Sequence, residues 1–310
     1  MIGSLLQQAP VRRAILFMDL NKNHARDLGG QIREELASLE IEVDTYSFEV
    51  KPGFDTKTGY DVAISLGGDG TVLHAARTIS PLGVPIFPVN FGTFGFIAGV
   101  QPSEWKKIFS SWLEGNAPLS QRLMLEISVE REGVNVLQGC CLNDVVVSAS
   151  GIAKIISLRV SYSEAGQSFM KLGQYKSDGL IVSTPTGSTA YSVAAGGPIV
   201  DPELETLVLN PICPFTLSHR PIVLSAQEML LVEVEQEQRS GVLLTVDGQV
   251  AEELKSGDRI YLKKAPYYCL LIASGRANFY QALRTKLSWA GGENADKLRL
   301  TESAEEGSRA

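Results

Sequence analysis

The sequence has 310 residues, of which 44% are hydrophobic and 20% charged, with a formal net charge of −7. That composition is globular and long enough for two domains with real cores. It argues against general nucleic-acid binding, and no apolar run of about 18 residues predicts a membrane span. The opening stretch MIGSLLQQAPVRR lacks the basic-then-apolar order of an export signal, so a cytoplasmic location is expected.

Residues 14–19 (AILFMD) form a short apolar run fit for a buried strand. Leu28, Ile32, Leu36 and Leu39 then recur at helical spacing. Residues 43–48 and 61–66 read as strands, 71–79 as a helix, 84–89 as a strand and 102–113 as a helix. Such alternation implies a parallel sheet covered by helices. From about residue 123 the pattern changes. LMLEISVE, NDVVVS, IISLRVSY, GLIVST, PIVLS, MLLVEVE, VLLTVDGQ and RIYLKK are short, β-branched and separated by turn residues. They read as an all-β domain, a sandwich or barrel, with no internal repeat. In residues 276–289, Phe279, Leu283 and Leu287 share a helical face that should pack back on the first domain. The expected division is a Rossmann-like α/β domain over 1–121, completed by helix 276–290, and a sandwich-like β-rich domain over 122–275. The polar stretch 291–310 is expected to be disordered. Cys140, Cys141, Cys213 and Cys269 include no CxxC and read as buried free thiols, with no metal site.

Two stretches carry chemistry. ISLGGDGTVLHAAR (residues 64–77) lies where a strand should end and a helix begin. Backbone amides of a Gly-rich turn before a helix N-terminus favour phosphate. Neither a GxxxxGK[ST] loop nor a GxGxxG follows a strand here, so the phosphate-binding lysine is missing and Asp69 stands in the turn instead. An aspartate beside phosphates must bind a metal or take a proton from an attacking hydroxyl, unless the turn is merely structural. The second stretch, STPTGSTAY (residues 183–191), gathers hydroxyl donors and glycine in one turn. Tyr191 can stack on a base, and Asp178 just upstream can accept from an amide or amine; an ordinary polar loop is the alternative.

SLGGDGT, NFGTFGF (90–96), LND (142–144), DGLIVSTPTGSTAY (178–191) and VDGQ (246–249) follow in the order seen in NAD kinases, and the chain resembles that family over residues 14–289. GGDGT alone is shared with diacylglycerol and sphingoid kinases and phosphofructokinases; the longer motif is more selective. The resemblance implies an enzyme moving the γ-phosphoryl of ATP, or in some members polyphosphate, to the adenosine 2′-hydroxyl of NAD. It also implies a divalent metal (magnesium or manganese) delivered with ATP, and a homodimer or homotetramer whose neighbouring subunit contributes to the site. Neither nucleic acid nor membrane is an expected partner. By the same resemblance Asp69 is the general base, with Gly70 against the ligand and His74 at a position often basic in relatives. Asn143 and Asp144 match the Asn-Glu pair that holds ribose hydroxyls, Asp144 being one methylene shorter. Lys176, where relatives often have arginine, and Asp178 match ligand-binding positions. Thr189, Ala190 and Tyr191 match the lining of the adenine and ribose pocket, and Gln249 a further contact. Asn90 and Gly92 should shape their turn, and Phe91 or Phe96 line the pocket; Phe94, where leucine is commoner, reads as packing, and His24 and His219 as structural. A lipid or sphingoid-base kinase and a non-catalytic dinucleotide sensor are the competing readings.

Overall fold

The computed structural model describes residues 10–20, 23–47, 59–91, 95–151, 154–164, 167–216, 218–287 and 289. The expectations for Gly92, Phe94 and the 291–310 stretch lie outside these residues.

The first half alternates as expected: β1 (Arg13–Met18), α1 (Asn23–Ser38), β2 (Glu42–Ser47), β3 (Val62–Gly67), α2 (Asp69–Ile79), β4 (Ile86–Asn90) and α3 (Trp105–Leu113). The four strands are parallel in the order β2-β1-β3-β4. β1 is buried on both faces. Ala14, Leu16 and Met18 meet one core with α1 and α3, while Ile15 and Phe17 meet another with α2. Leu28, Ile32 and Leu36 bury the inner stripe of α1, but the helix stops at Ser38 and leaves Leu39 45% exposed. The helix expected from 71 starts at Asp69, and the one expected from 102 starts at Trp105.

The second half holds β5 (Leu119–Arg131), β6 (Val134–Cys141), β7 (Asp144–Ala149), β8 (Ile156–Ser163), β9 (Met170–Ser177), β10 (Gly179–Ser183), α4 (Tyr191–Ala194), β11 (Thr206–Ile212), β12 (Ile222–Ser225), β13 (Met229–Val234), β14 (Val242–Val246), β15 (Val250–Leu254), β16 (Arg259–Ile272) and α5 (Arg276–Lys286). Sequence reading left out β6, β9, β11 and β15. The exposed residues of β6, β9 and β15 blur the apolar signal. Strand β11 carries Pro211, which is tolerated because β12 pairs only as far as Leu209 and asks nothing of that nitrogen.

Strands β12-β11-β10-β7-β14-β15 form one antiparallel sheet. It faces the other across a core containing Leu125, Leu158, Leu180, Leu209, Leu230 and Leu244. That other sheet is larger than expected. It runs β2-β1-β3-β4-β16-β13-β8-β9, with β5 and β6 branching from β16, so the parallel strands and part of the β-rich half are one hydrogen-bonded surface. The long strand β16 makes the join. It pairs antiparallel with β5 and β13, and at Leu271 it meets Ile86 of β4 in parallel. The architecture is therefore α/β plus β-rich. Met124, Cys140 and Leu142 of the β-rich half share a core with Val72, Ala76 and Ile79 of α2, so the seam between the halves is packed.

Helix α5 buries Phe279 and Leu283, and Phe279 packs on Phe96 of the first half at 6.3 Å between ring centroids. Leu287, past its end, is 38% exposed. The cysteines are free, but Cys213 is exposed, correcting the expectation that all four are buried; it follows β11 in a left-handed conformation, φ 45°. No helix among the described residues is long and apolar enough to cross a membrane.

Candidate active site

In the order β2-β1-β3-β4, the carboxyl ends of β1 and β3 flank the point where strand order reverses, the usual ligand site of an open α/β sheet. The GGDGT turn leaves β3 there. Gly68 is extended and precedes α2, whose first turn carries Asp69 and Gly70. Asp69 folds away from the helix onto the 95–98 segment. Its Oδ2 accepts from the Phe96 amide at 3.2 Å, and its Oδ1 from Ala98 at 2.9 Å and Ile97 at 3.4 Å. Gly95 makes this approach possible: a Cβ there would stand 2.2 Å from Oδ1. The same segment is held from behind. Ser274 Oγ donates to the Ile97 carbonyl at 3.1 Å, and the Ser274 carbonyl accepts from the buried guanidinium of Arg122 at 2.6 Å. Burial pulls the Arg122 pKa below its ordinary value. Asn90 Nδ2 donates to the Ala98 carbonyl at 3.1 Å, the turn-shaping role expected of it.

Across the seam lie Asn143 and Asp144, where the chain leaves β6 of the large sheet and begins β7 of the small one. Asp247 holds this crossing. Its Oδ1 accepts from the amides of Asn143 at 2.8 Å and Asp144 at 3.3 Å. Its Oδ2 accepts from the Leu142 amide at 3.2 Å and from Arg77 Nη1 of α2 at 2.9 Å. Asp247 and Gly248 have φ of 50° and 64°, the successive left-handed residues of a type I′ turn, which is why Asp-Gly stands there. Gln249, next along, donates to the Gly70 carbonyl at 2.9 Å and accepts from Arg77 Nη2. Its side chain therefore joins the two halves. Sequence reading singled out Gln249 and missed Arg77 and Asp247; the Asp-Gly turn signal was visible, but its partner 170 residues upstream was not.

The STPTGSTAY turn stacks on the same crossing. Thr184 N donates to the Asn143 carbonyl at 2.8 Å, and Thr184 Oγ1 donates to the Leu142 carbonyl at 2.5 Å. At Gly187 the backbones touch so closely that a Cβ would lie 2.1 Å from the Asn143 oxygen. Thr189 and Ala190 follow half-buried, and Tyr191 presents a 48% exposed ring at the start of α4. Asn143 is buried, with its Oδ1 unpartnered among the described residues. Asp144 is 5% exposed, and among the described residues no donor reaches its carboxylate. Burial, and then the charge of Asp247, push its pKa up to about 7.

Three expected site residues lie apart from this cluster. His74 turns its ring to Tyr46 at 5.5 Å and Phe17 at 6.4 Å. Burial, and then the Arg77 charge, lower its pKa. Ser183 pairs with Asp144 at one end of β10, whereas Gly179 pairs with Ser148 at the other. Asp178 therefore sits roughly 17 Å along the strand from Ser183, at about 3.3 Å per residue. Lys176, exposed on the edge strand β9, lies beyond it. His219 stacks on Tyr175 at 4.7 Å, as its structural reading implies, whereas His24 is exposed on α1.

The ATP-NAD kinase N-terminal domain model matches residues 19–117, and the ATP-NAD kinase C-terminal domain model matches residues 142–274. The NAD kinase of Treponema denticola is 39% identical over 282 residues, covering 91% of this chain and 98% of that protein. That of Geobacter sulfurreducens is 43% identical over 229 residues, covering 74% and 78%. Among solved structures, yeast NADH kinase complexed with NADH superposes with a TM-score of 0.81 at 22% identity, over 91% of this chain and 89% of that one. An NAD kinase from Archaeoglobus fulgidus in complex with ATP gives 0.64 at 24% identity, over 87% and 96%. At such identities the structures speak for the fold, while the sequence relatives and both domain models speak against the lipid-kinase and sensor readings. The chain belongs to the NAD kinase family.

Proposed function

We propose that this NAD kinase moves the γ-phosphoryl of ATP to the 2′-hydroxyl of the adenosine ribose of NAD, with Asp69 as base and Asn143 and Asp144 holding ribose hydroxyls. The observation that carries the reading is the state of Asp69. A carboxylate has about four lone-pair positions. Three amides occupy Oδ1 twice and Oδ2 once, which fixes the carboxylate and leaves one acceptor position on Oδ2. That position suits the proton of an attacking hydroxyl. A free hydroxyl is a weak acid, so the transfer is late, and positioning dominates in a loose phosphoryl-transfer transition state. The exposed Gly68 and Gly70 and the N-terminus of α2 offer amides to phosphate. Asp144 lacks a donor in the free protein and gains one when a ribose hydroxyl arrives.

Among the described residues no three His, Cys, Asp or Glu side chains gather as a metal-binding group. The donor chemistry fits magnesium or manganese carried on the phosphates of ATP, since such ions prefer phosphate and water oxygens to a protein cage. Bound there, the ion neutralises charge on the transferring group. Lys176 and Asp178, at the far end of β10, serve the cleft of a neighbouring copy in a homodimer or homotetramer. Phe215, 75% exposed beside the Lys176 carbonyl, supports a covered surface there. The free thiols fit the reducing cytoplasm.

The test is to incubate the purified protein with NAD, ATP and magnesium and assay NADP with an NADP-specific dehydrogenase; no NADP would overturn the reading. For the shared site, inactive Asp69→Asn and Lys176→Ala/Asp178→Ala proteins are mixed. Recovered activity supports contribution from a neighbouring copy, and no recovery overturns it.

A further inference from the structure

Asp247 and Arg77 belong to opposite halves of the cleft and pair with each other, with backbone and with the Gln249 side chain. All four acceptor positions of Asp247 are filled, by three consecutive amides and one guanidinium nitrogen. Nothing remains for a substrate or a metal. Its side chain is fully buried, and that of Arg77 is 13% exposed.

Arg77 donates from one nitrogen to Asp247 and from another to Gln249. It stands in the last turn of α2. Residues 70, 74 and 77 follow one another along one face of a helix, and helical side chains lean toward the N-terminus. The guanidinium thus reaches back beside the first turn, where Gln249 takes one of its nitrogens and grips the Gly70 carbonyl. Asp69 is the residue before that carbonyl. On the other side, the amides held by Asp247 include that of Asp144 itself. A chain of hydrogen bonds and covalent links therefore connects the Asp69 turn to Asp144: Gly70, Gln249, Arg77, Asp247, Asp144. No other described ion pair links α2 to the β-rich half.

We propose that Arg77 and Asp247 are positioning residues that latch α2 to the 142–144 crossing and so set the separation of Asp69 from Asp144. The inference rests on the reading of those two aspartates as the groups that grip the acceptor. A latch of this kind makes a particular demand. The 2′-hydroxyl must meet Asp69 while the ribose stays on Asp144, and a displacement of about 1 Å costs on the order of 10²-fold in rate. Breaking the latch should therefore damage turnover of NAD without greatly changing ATP binding, in protein that is still folded.

The experiment compares Arg77→Met, Arg77→Lys, the double variant Arg77→Met/Asp247→Asn, and Asp144→Ala. Each is melted, then assayed well below its Tm with NAD varied at saturating ATP and the reverse. Arg77→Met strands a buried carboxylate, so its Tm falls. Its kcat/KM for NAD should fall about 10- to 100-fold, with the ATP KM within about threefold. The double variant leaves no buried charge alone but costs the Leu142 amide its acceptor, so its Tm should recover in part while NAD kinetics stay depressed. Arg77→Lys keeps the charge but loses the fork to Gln249, and should lie between. A merely structural pair would instead lower Tm and leave kcat/KM for NAD within about threefold, which overturns the proposal, as does a double variant that recovers both. If Arg77→Met does not fold, the double variant and Arg77→Lys decide by the same criterion. Asp144→Ala separates the two readings. Its defect beside wild-type Arg77 variants sinks the latch alone. Its silence beside defective Arg77 variants sinks the Asp144 reading while supporting the positioning of the seam.

Discussion

Asp69 and Asp144 face one seam from opposite halves with opposite surroundings. Asp69 is partly exposed, yet three backbone amides hold its carboxylate. Asp144 is buried, receives no described donor, and lies beside a second carboxylate. Asp247 next to it is also pushed up by burial, but its amides and Arg77 oppose the shift, so the pair's proton belongs on Asp144. The first group is oriented before any ligand arrives. The second is left wanting a donor, which on the proposed reading a ribose hydroxyl supplies. On the proposed reading one cleft holds a preorganised reagent and a recognition site, and experiments can separate the two.

The largest effect is expected at Asp69. Asp69→Asn keeps an oxygen for Ile97 and Ala98 but loses the acceptor facing Phe96 and the hydroxyl, so kcat should fall roughly 10²- to 10⁴-fold. Turnover within about threefold of wild type would sink the base assignment. At Asp144, alanine removes a charge-assisted hydrogen bond worth about 1.5–3 kcal/mol, so kcat/KM for NAD should fall roughly 10- to 150-fold, with less effect on the ATP KM. Asp144→Glu should be milder. Unchanged NAD kinetics in the alanine variant would remove Asp144 from the substrate's reach.

Gly95→Ala sharpens the contrast from the other side. Its new methyl lands 2.2 Å from Asp69 Oδ1 and 3.0 Å from the Ala98 carbonyl, so the carboxylate must shift. A kcat loss of about tenfold or more with the NAD KM retained is expected; wild-type kcat would show that the orientation of Asp69 does not matter. The smallest effect on the kinetics is with pH, although its effect on stability is large. Asp144 loses its proton near 3.8 when unfolded and near 7 when folded. Between those values the unfolded chain binds fewer protons, so this group lowers stability progressively as pH rises from about 4 to 7, and the loss is complete above the folded pKa. At about 1.4 kcal/mol per unit its full cost approaches about 4 kcal/mol. Asp144→Asn should therefore gain stability over wild type at pH 8 and much less at pH 5, measured by denaturant titration. The KM for NAD in wild type should fall several-fold between about pH 6 and 8 as the acceptor ionises. An equal stability gain at both pH values would rule out the buried, protonated carboxylate.

Much of this arrangement is legible in the residues because its signals are local. A strand, two glycines and an aspartate opening a helix identify the Asp69 turn, and the hydroxyl-rich run identifies the second motif. The element order of the first half follows from apolar spacing. What escapes is tertiary. The role of Asp247 depends on Arg77 arriving from helix α2 of the other half, and the packing of His74 on Tyr46 and Phe17 carries no signal in the sequence. Lys176 and Asp178 sit close in sequence to STPTGSTAY, but Asp178 precedes the far end of β10 and Lys176 lies on β9 of the other sheet. The edge strands escape because an exposed strand need not alternate cleanly.

The path of β16 bears on how the chain is made. β4 is laid down early, and on the edge away from β3 only its Val89 end is covered soon after, by a parallel bridge to Val100; its Ile86 end stays unpaired until Leu271 emerges. During synthesis the first half therefore carries a partly open, apolar strand edge while well over half of the chain is still to come. Such an edge invites pairing with other chains. Its closure joins residues far apart in sequence, which makes it a slow step. A fragment ending before β16 would keep that edge indefinitely, and aggregation rather than a stable miniature fold is its expected fate.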